Sequence, residues 1–441
     1  MSFLERAPQD VILEIALLGA ASDFDCRDIL SLLLTSSRLH NVLNIRNCPL
    51  LYAVVFRAMY GAPFPLPYRM LAAELVRRCT LLRRLRRGDM TPDGLNQDMQ
   101  TAVGMLLENN VSAYARLADV GLPRFVLALW QTRRDALDEE TKGLVLVVLS
   151  LTLRHEDFDR MSIEDRQEFE VSLIPYIMPK HWHDTTRVSA QGHHCAGDWT
   201  DCTPELCALA VSQYSIHEHS AHPMHAALQM YCAARWATNP EPPSHLPPTR
   251  ASAILQHRPG PTMDDCRGPA FSFRTPFFAD ACDRVGGGAR SGPASTIAPG
   301  ALTGVWEGFL MVAIAPHARD GCVGYSPDAS VGFSCKRPVQ IELAEYLSDD
   351  SQATMPGPLR CLRAVEPSQA HAEAWGAYTY AGDVKDDGLV QLIRQPTAES
   401  HGQADAEWLF SGRVLPGGAF VGYWRVLDGA GRGVFSMCKR A

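Results

Sequence analysis

The chain has 441 residues, of which 46% are hydrophobic and 20% charged, and its formal net charge is −8. This length allows two to three domains, and the composition excludes a disordered or fibrous chain. The 13 cysteines are odd in number and irregularly spaced, which predicts reduced thiols in a cytosolic or nuclear protein. We expect no signal peptide, because no basic lead and apolar stretch open the chain. The longest apolar run, residues 143–153, is too short to span a bilayer and predicts a buried helix.

Residues 1–47 predict three short amphipathic helices. Pro8 suits the first position of a helix, and Gly19 offers a left-handed stop. Asp25 is the predicted N-cap of the second helix, and Ser36 or Ser37 begins the third. The inward face of the first helix is predicted to carry Val11, Ile12, Ile15 and Leu18. So small an element cannot bury enough apolar surface alone, so we expect it to pack on a partner chain, on the following helices, or on both.

The same residues resemble an F-box. The resemblance lies in Pro8-x-Asp10-Val11-Ile12-Leu13-Glu14-Ile15, Arg27-Asp28-Ile29-Leu30 and Ser36-Ser37-Arg38-Leu39-His40. Two features depart from the family pattern: Ala7 stands where a leucine usually precedes the proline, and the segment 19–26 is longer than usual. The resemblance implies binding to a Skp-type adaptor and, through it, to a cullin. The residues that it implies for this contact are Pro8, Ile12, Ile15, Ile29, Leu33 and Leu39.

The segment 48–238 predicts an all-α array of helix pairs, without the fixed repeat period of a solenoid. An arginine-rich stretch lies within it at residues 77–87. Such a stretch could address the nucleus or touch nucleic acid, but leucines alternate with the arginines, which favours a solvated helix face. No aromatic residues interleave with the arginines, so we expect no nucleic-acid partner.

Histidines and cysteines concentrate between residues 181 and 232. Imidazole and thiolate are preferred zinc ligands, but the spacing matches no known finger or ribbon. An irregular loop is therefore favoured over a metal site, and no metal or other cofactor is expected. The strongest zinc candidates in this segment are His181, His183, His193, His194 and Cys195.

Residues 239–300 form a connector rich in proline and glycine, and residues 301–441 then follow a period of two. Seven or eight short antiparallel strands are predicted, with glycines at 412 and 422 where a curved sheet bends. The predicted fold class is therefore α+β and multidomain, with a C-terminal antiparallel β-barrel or curled sandwich. The strand predictions are 303–314, 339–346, 374–384, 388–394, 408–414, 420–426 and 433–438.

The C-terminal half also resembles the β region of fungal F-box-like proteins, whose architecture is similar to a calycin-type barrel. The resemblance lies in Gly304-Val305-Trp306-Glu307-Gly308, Trp375-Gly376-x-Tyr378-Thr379 and Gly422-Tyr423-Trp424-Arg425. Together the two resemblances imply a non-catalytic adaptor that holds an unknown protein target for a ubiquitin ligase.

Two alternatives to the adaptor remain open. A closed barrel could hold a small apolar molecule, and a filled interior would count against this. The residues predicted to line such a site are Trp306, Trp375, Trp408 and Trp424. Enzyme activity is not expected, because the sequence lacks the serine-elbow, phosphate-loop and zinc-protease motifs and pairs no two carboxylates. Membrane association is not expected either.

Overall fold

The structure is a computed structural model. It describes residues 7–22, 26–60, 67–107, 111–177, 223–238, 247–255, 262, 300–314, 332–348, 359–365, 377–385, 388–397, 406–415, 418–427 and 431–439. The chain divides into two compact units, Met1–Val148 and Leu149–Ala441, which we call the N-terminal and C-terminal units. The predicted helical array, residues 48–238, is thus divided between the two units.

The described part of the N-terminal unit is helical. Its helices are α1 (Gln9–Ser22), α2 (Cys26–Thr35), α3 (Ser37–Leu43), α4 (Pro49–Tyr60), α5 (Tyr68–Arg87), α6 (Leu95–Leu107), α7 (Val111–Asp119), α8 (Leu122–Arg133) and the larger part of α9 (Glu139–Thr152), which crosses the boundary between the units. The predicted stop at Gly19 is wrong, because α1 continues for three residues beyond it. The predicted cap at Ser36 is confirmed, since its hydroxyl accepts a hydrogen bond from the Leu39 N–H at 3.2 Å. Asp25 lies outside the described residues.

Packing in this unit centres on α4 and α5. Both α1 and α5 pack against α4, and α6 packs against α5. Arg78 of α5 is buried: its Nε is 3.0 Å from Glu74 Oε1, and its guanidinium lies over the rings of Phe56 and Tyr60. The prediction that the arginine-rich stretch forms a solvated face is therefore wrong for Arg78. The neighbouring charge and the two rings compensate its removal from water.

The C-terminal unit begins with helices and ends with strands. Its further helices are α10 (His155–Arg160), α11 (Ile163–Ile177), α12 (Pro223–Thr238) and α13 (Arg250–Leu255). Helices α11 and α12 pack together, and the Arg235 guanidinium lies 3.2 Å from the Glu170 carboxylate. Residues 178–222 of the predicted helical array lie outside the described residues.

Eight antiparallel strands follow and close into a barrel in simple sequence order. They are β1 (Gly304–Ile314), β2 (Gly332–Ser348), β3 (Leu359–Val365), β4 (Tyr378–Val384), β5 (Leu389–Pro396), β6 (Trp408–Val414), β7 (Ala419–Val426) and β8 (Arg432–Lys439). The first strand, β1, also pairs with the last strand, β8, and this pairing closes the barrel. Leu310 lies opposite Phe435 in it. The predicted α+β class and barrel are thus confirmed.

Strand β3 has no counterpart among the predicted strands. The alternation of apolar residues in β3 is hard to recognise in the sequence, because Arg360 occupies a position on the same side of the strand as the buried Leu362 and Ala364. Arg360 pairs with Glu345 of β2, which compensates its charge.

Helix α12 packs on the outer wall of the barrel at β7 and β8. Tyr423, on the outward side of β7, donates a hydrogen bond from its hydroxyl to the Ile177 carbonyl oxygen at 2.7 Å. Outward-facing residues of this wall, including Val421 and Val434, are consequently buried. The barrel therefore has an apolar interior and one helix-covered outer wall within the same unit.

Candidate partner-binding surface

Helix α1 carries two apolar stripes on different faces. Val11, Ile15 and Leu18 are 40%, 48% and 66% exposed, and we call these three residues the α1 stripe. Their spacing of four and three residues places them in line along one side of the helix. The periodicity of the sequence predicts Ile12 on the same face, but Ile12 is only 3% exposed and lies on the other stripe with Ala16. The predicted single inward face is thus wrong.

The buried stripe attaches α1 to the rest of the N-terminal unit. Helix α1 packs against α4, with Ile12 and Ala16 covered. A guanidinium nitrogen of Arg38, on α3, donates to the Ala7 carbonyl oxygen at 2.9 Å and holds the start of α1. The described helices thus cover Ile12 and Ala16, whereas the side chains of the α1 stripe are exposed, which makes the stripe a candidate surface for a partner.

The six residues predicted to contact a Skp-type adaptor fall into three groups. Pro8 and Ile15 are exposed, and Leu33 is half-buried. Ile12 and Leu39 are buried in the chain itself, so they support the helical fold rather than supply surface. The side chain of Ile29 lies outside the described residues.

Sequence reasoning missed three of the exposed apolar positions as site residues. Val11 and Leu18 complete the α1 stripe, and Leu34 of α2 is 75% exposed. The i, i+4, i+7 spacing of the α1 stripe was a signal for the first two. Exposed Asp10 and Glu14 flank the stripe, so this surface combines an apolar centre with acidic neighbours.

Three of the four predicted barrel tryptophans lie in a filled interior. Trp306 packs edge-on against Phe420, with ring centroids 6.1 Å apart. Trp408 and Trp424 stack with centroids 4.5 Å apart. Buried side chains from all eight strands surround these rings, which counts against a large interior ligand. Trp375 lies outside the described residues.

One end of the barrel is closed by residues 300–303. Nε1 of Trp306 donates to the Leu302 carbonyl oxygen at 2.7 Å, and Lys439 Nζ donates to the Ala301 carbonyl oxygen at 3.0 Å. The Glu345 carboxylate accepts from the Gly300 N–H at 2.9 Å and also pairs with Arg360. Side chains from β1, β2 and β8 thus hold this segment across the end of the barrel.

A buried arginine lies inside the barrel toward the opposite end. Arg394 of β5 is 2% exposed, and its guanidinium carbon lies 3.7 Å from the Tyr378 ring centroid and 3.6 Å from that of Trp408. Trp424 extends the stack through Trp408. The stack links four successive strands, β4 to β7, so it stabilises this part of the barrel.

The described residues contain no group of three or more His, Cys, Asp or Glu side chains arranged to hold a metal. The zinc candidates His181, His183, His193, His194 and Cys195 lie outside the described part of the chain. Burial raises the pKa of Cys232, which disfavours its thiolate. Among the helices that the structure describes, none is long and apolar enough to cross a membrane.

Comparison with known proteins adds no assignment: no family model, no curated protein and no solved structure matches this chain. Fold and surface together define a helical unit with an exposed apolar stripe and a second unit built on a closed, filled eight-stranded barrel.

Proposed function

We propose that this protein is the substrate-recognition adaptor of a Skp–cullin–F-box ubiquitin ligase. The observation that carries the proposal is the α1 stripe, which stays exposed after the chain's own helices have covered Ile12 and Ala16. An apolar side chain gains about 1.5–3 kcal/mol when it is fully buried, so three aligned side chains offer substantial binding free energy to a partner.

The stripe lies within the residues that resemble an F-box. In this proposal Ile15, Leu18 and Leu34 contact the Skp-type adaptor, while the buried Ile12 and Leu39 hold the helices in place. The protein itself performs no catalysis, because ubiquitin transfer takes place on other subunits. A protein target is held by the downstream domains.

We also infer that the barrel is of the calycin type. Eight antiparallel strands in up-and-down order, with Trp306 near the start of the first strand, support this inference. The filled interior favours protein recognition by the outer surface and loops over enclosure of a small molecule. We place the protein in the cytosol or nucleus; the described cysteines Cys48, Cys79, Cys232, Cys361 and Cys438 are thiols rather than disulfides, in agreement with a reducing compartment.

The proposal is tested by co-expressing the full chain with a Skp-type adaptor and measuring their affinity after purification. The double variant Ile15→Asp, Leu18→Asp places two charges on the α1 stripe and should weaken binding at least about tenfold. Because both side chains are exposed, the thermal stability of the free chain should change little.

The matched control is the double variant Met70→Asp, Val76→Asp, which alters two exposed apolar residues of α5 in the same unit. This control should retain the affinity of the unaltered chain. Equal binding by all three proteins, or no detectable binding by the unaltered chain, would overturn the proposal.

A further inference from the structure

The C-terminal end of α5 carries several exposed arginines. The helix contains seven arginines and one acidic residue, Glu74. Arg78 is buried beside Glu74, and Arg84 pairs with Asp98 of α6 at 2.9 Å. Three other arginines of the last two turns, Arg83, Arg86 and Arg87, are exposed, and we call them the α5 ridge.

Capping of the helix does not require the α5 ridge. Gly88 adopts a left-handed conformation with φ of 62°, and its N–H donates to the Leu85 carbonyl oxygen at 3.1 Å. The Asp89 N–H donates to the Arg84 carbonyl oxygen at 3.2 Å. Backbone donors therefore satisfy carbonyls of the last turn in the manner of a Schellman motif. The helix dipole favours cations here, but like charges three and four residues apart repel each other and oppose that gain.

Within the part of the chain that the structure describes, none of the three ridge arginines forms an ion pair. The carboxylate of the nearby Asp89 accepts a hydrogen bond from the Thr91 N–H at 3.0 Å. The pKa of Asp89 is lowered, first by its hydrogen bonds with Thr91 and then by the charges of Arg84 and Arg87. Asp89 therefore offsets part of the charge of Arg87, and three exposed guanidinium groups without ion pairs among the described residues still give the ridge a net positive field.

We propose that the α5 ridge binds an acidic segment of a partner protein. Each guanidinium can donate two parallel hydrogen bonds to one carboxylate, and the spacing of three and four residues presents adjacent cations to successive acidic side chains. A protein partner is favoured over nucleic acid, because no aromatic residue interleaves with the ridge to stack on bases. This inference does not depend on the ubiquitin-ligase proposal.

The experiment uses the full-length protein and a fluorescent decamer of glutamate, with binding followed by fluorescence anisotropy at low and physiological salt. We expect saturable binding that weakens as salt increases, since the contacts are exposed ion pairs. The triple variant Arg83→Glu, Arg86→Glu, Arg87→Glu should reduce the affinity at least about tenfold, because it removes three attractions and adds three repulsions. Replacing the same residues by glutamine should give an intermediate loss.

The matched control is the triple variant Arg57→Glu, Arg124→Glu, Arg133→Glu. These arginines are exposed in the same unit, and their reversal changes the net charge by the same amount. The control should bind the decamer like the unaltered chain. An equal loss in both triple variants would show that net charge alone governs binding and would overturn the proposal. Tighter binding to a short DNA or RNA duplex than to the decamer would overturn the choice of a protein partner.

Discussion

A single buried arginine shows how a charged side chain can belong to the interior of this barrel. Arg394 lies between the rings of Tyr378 and Trp408 at 3.7 Å and 3.6 Å. A planar guanidinium can stack on both rings at once, whereas a lysine ammonium presents no such plane. Arginine therefore stabilises this position more than lysine would.

Replacing Arg394 by lysine should lower the free energy of unfolding of the C-terminal unit by about 1–2 kcal/mol. Urea denaturation followed by tryptophan fluorescence measures this change. The control Arg363→Lys concerns an exposed arginine that lies 5.3 Å from the Tyr346 ring, and it should alter stability by less than about 0.5 kcal/mol. Equal effects of the two substitutions would show that the stack contributes nothing specific.

Two glycines face each other where β6 and β7 approach closely. Gly412 pairs with Gly422, and a Cβ atom added to Gly422 would lie 2.2 Å from the Ser411 carbonyl oxygen. Gly422→Ala should therefore destabilise the barrel by about 1–3 kcal/mol, measured by thermal unfolding. The control is Gly104→Ala in α6, where an added Cβ meets nothing within 4 Å. That control should leave stability unchanged or raise it by up to about 1 kcal/mol.

At the level of secondary-structure elements, α1 packs against the N-terminal unit with one stripe and exposes the other to solvent. Ile12→Ala removes a buried side chain from the contact with α4, so it should lower the free energy of unfolding of the N-terminal unit by about 2–4 kcal/mol. Ile15→Ala should change it by less than about 0.5 kcal/mol, because Ile15 lies on the exposed α1 stripe. Urea denaturation of the full chain gives both values. A larger loss for Ile15→Ala would mean that the stripe is already covered.

The start of α9 depends on a carboxylate cap. Asp138 accepts hydrogen bonds from the Thr141 N–H at 2.7 Å and the Thr141 hydroxyl at 2.9 Å. Partial desolvation raises the pKa of Asp138, but these hydrogen bonds outweigh it, and the pKa lies below its ordinary value of 3.8. A lowered folded-state pKa means that the ionised cap stabilises the folded state above pH 3.8, and that this contribution is lost as pH falls through the folded-state pKa.

Asp138→Ala should accordingly cost about 1 kcal/mol at neutral pH, since it removes the cap. Asp138→Asn keeps a side-chain oxygen that can accept the hydrogen bonds, but the asparagine side chain cannot carry a negative charge. The difference in urea midpoint between the unaltered chain and Asp138→Asn should therefore shrink as the pH is lowered below 3.8. A difference independent of pH would contradict the assigned role of the charge.

At the scale of the whole molecule, the chain divides into two compact units. We expect each unit to unfold cooperatively, so calorimetry of the full chain should resolve two transitions. Ile12→Ala should lower the Tm of one transition by several degrees and leave the other in place, while Gly422→Ala should do the reverse. A single transition that both variants shift equally would show that the two units unfold together.

Local patterns in the sequence are sufficient to predict the features that depend on neighbouring residues. Alternation of apolar residues and the turn residues around it predicted β6 at Trp408–Val414, and the hydroxyl of Ser36 predicted the start of α3. The paired glycines of β6 and β7 were also expected where the sheet bends. These features depend on neighbours within a few residues, so a pattern in the chain is sufficient to predict them.

Long-range packing of the folded chain, by contrast, determines which apolar and charged residues are covered. It buried Ile12 but left Ile15 exposed, and it removed Arg78 from a stretch that reads as a solvated face. It also gave Arg360 of β3 a partner, Glu345, on the neighbouring strand. Burial and charge compensation depend on residues distant in sequence, and neither periodicity nor composition identifies those partners.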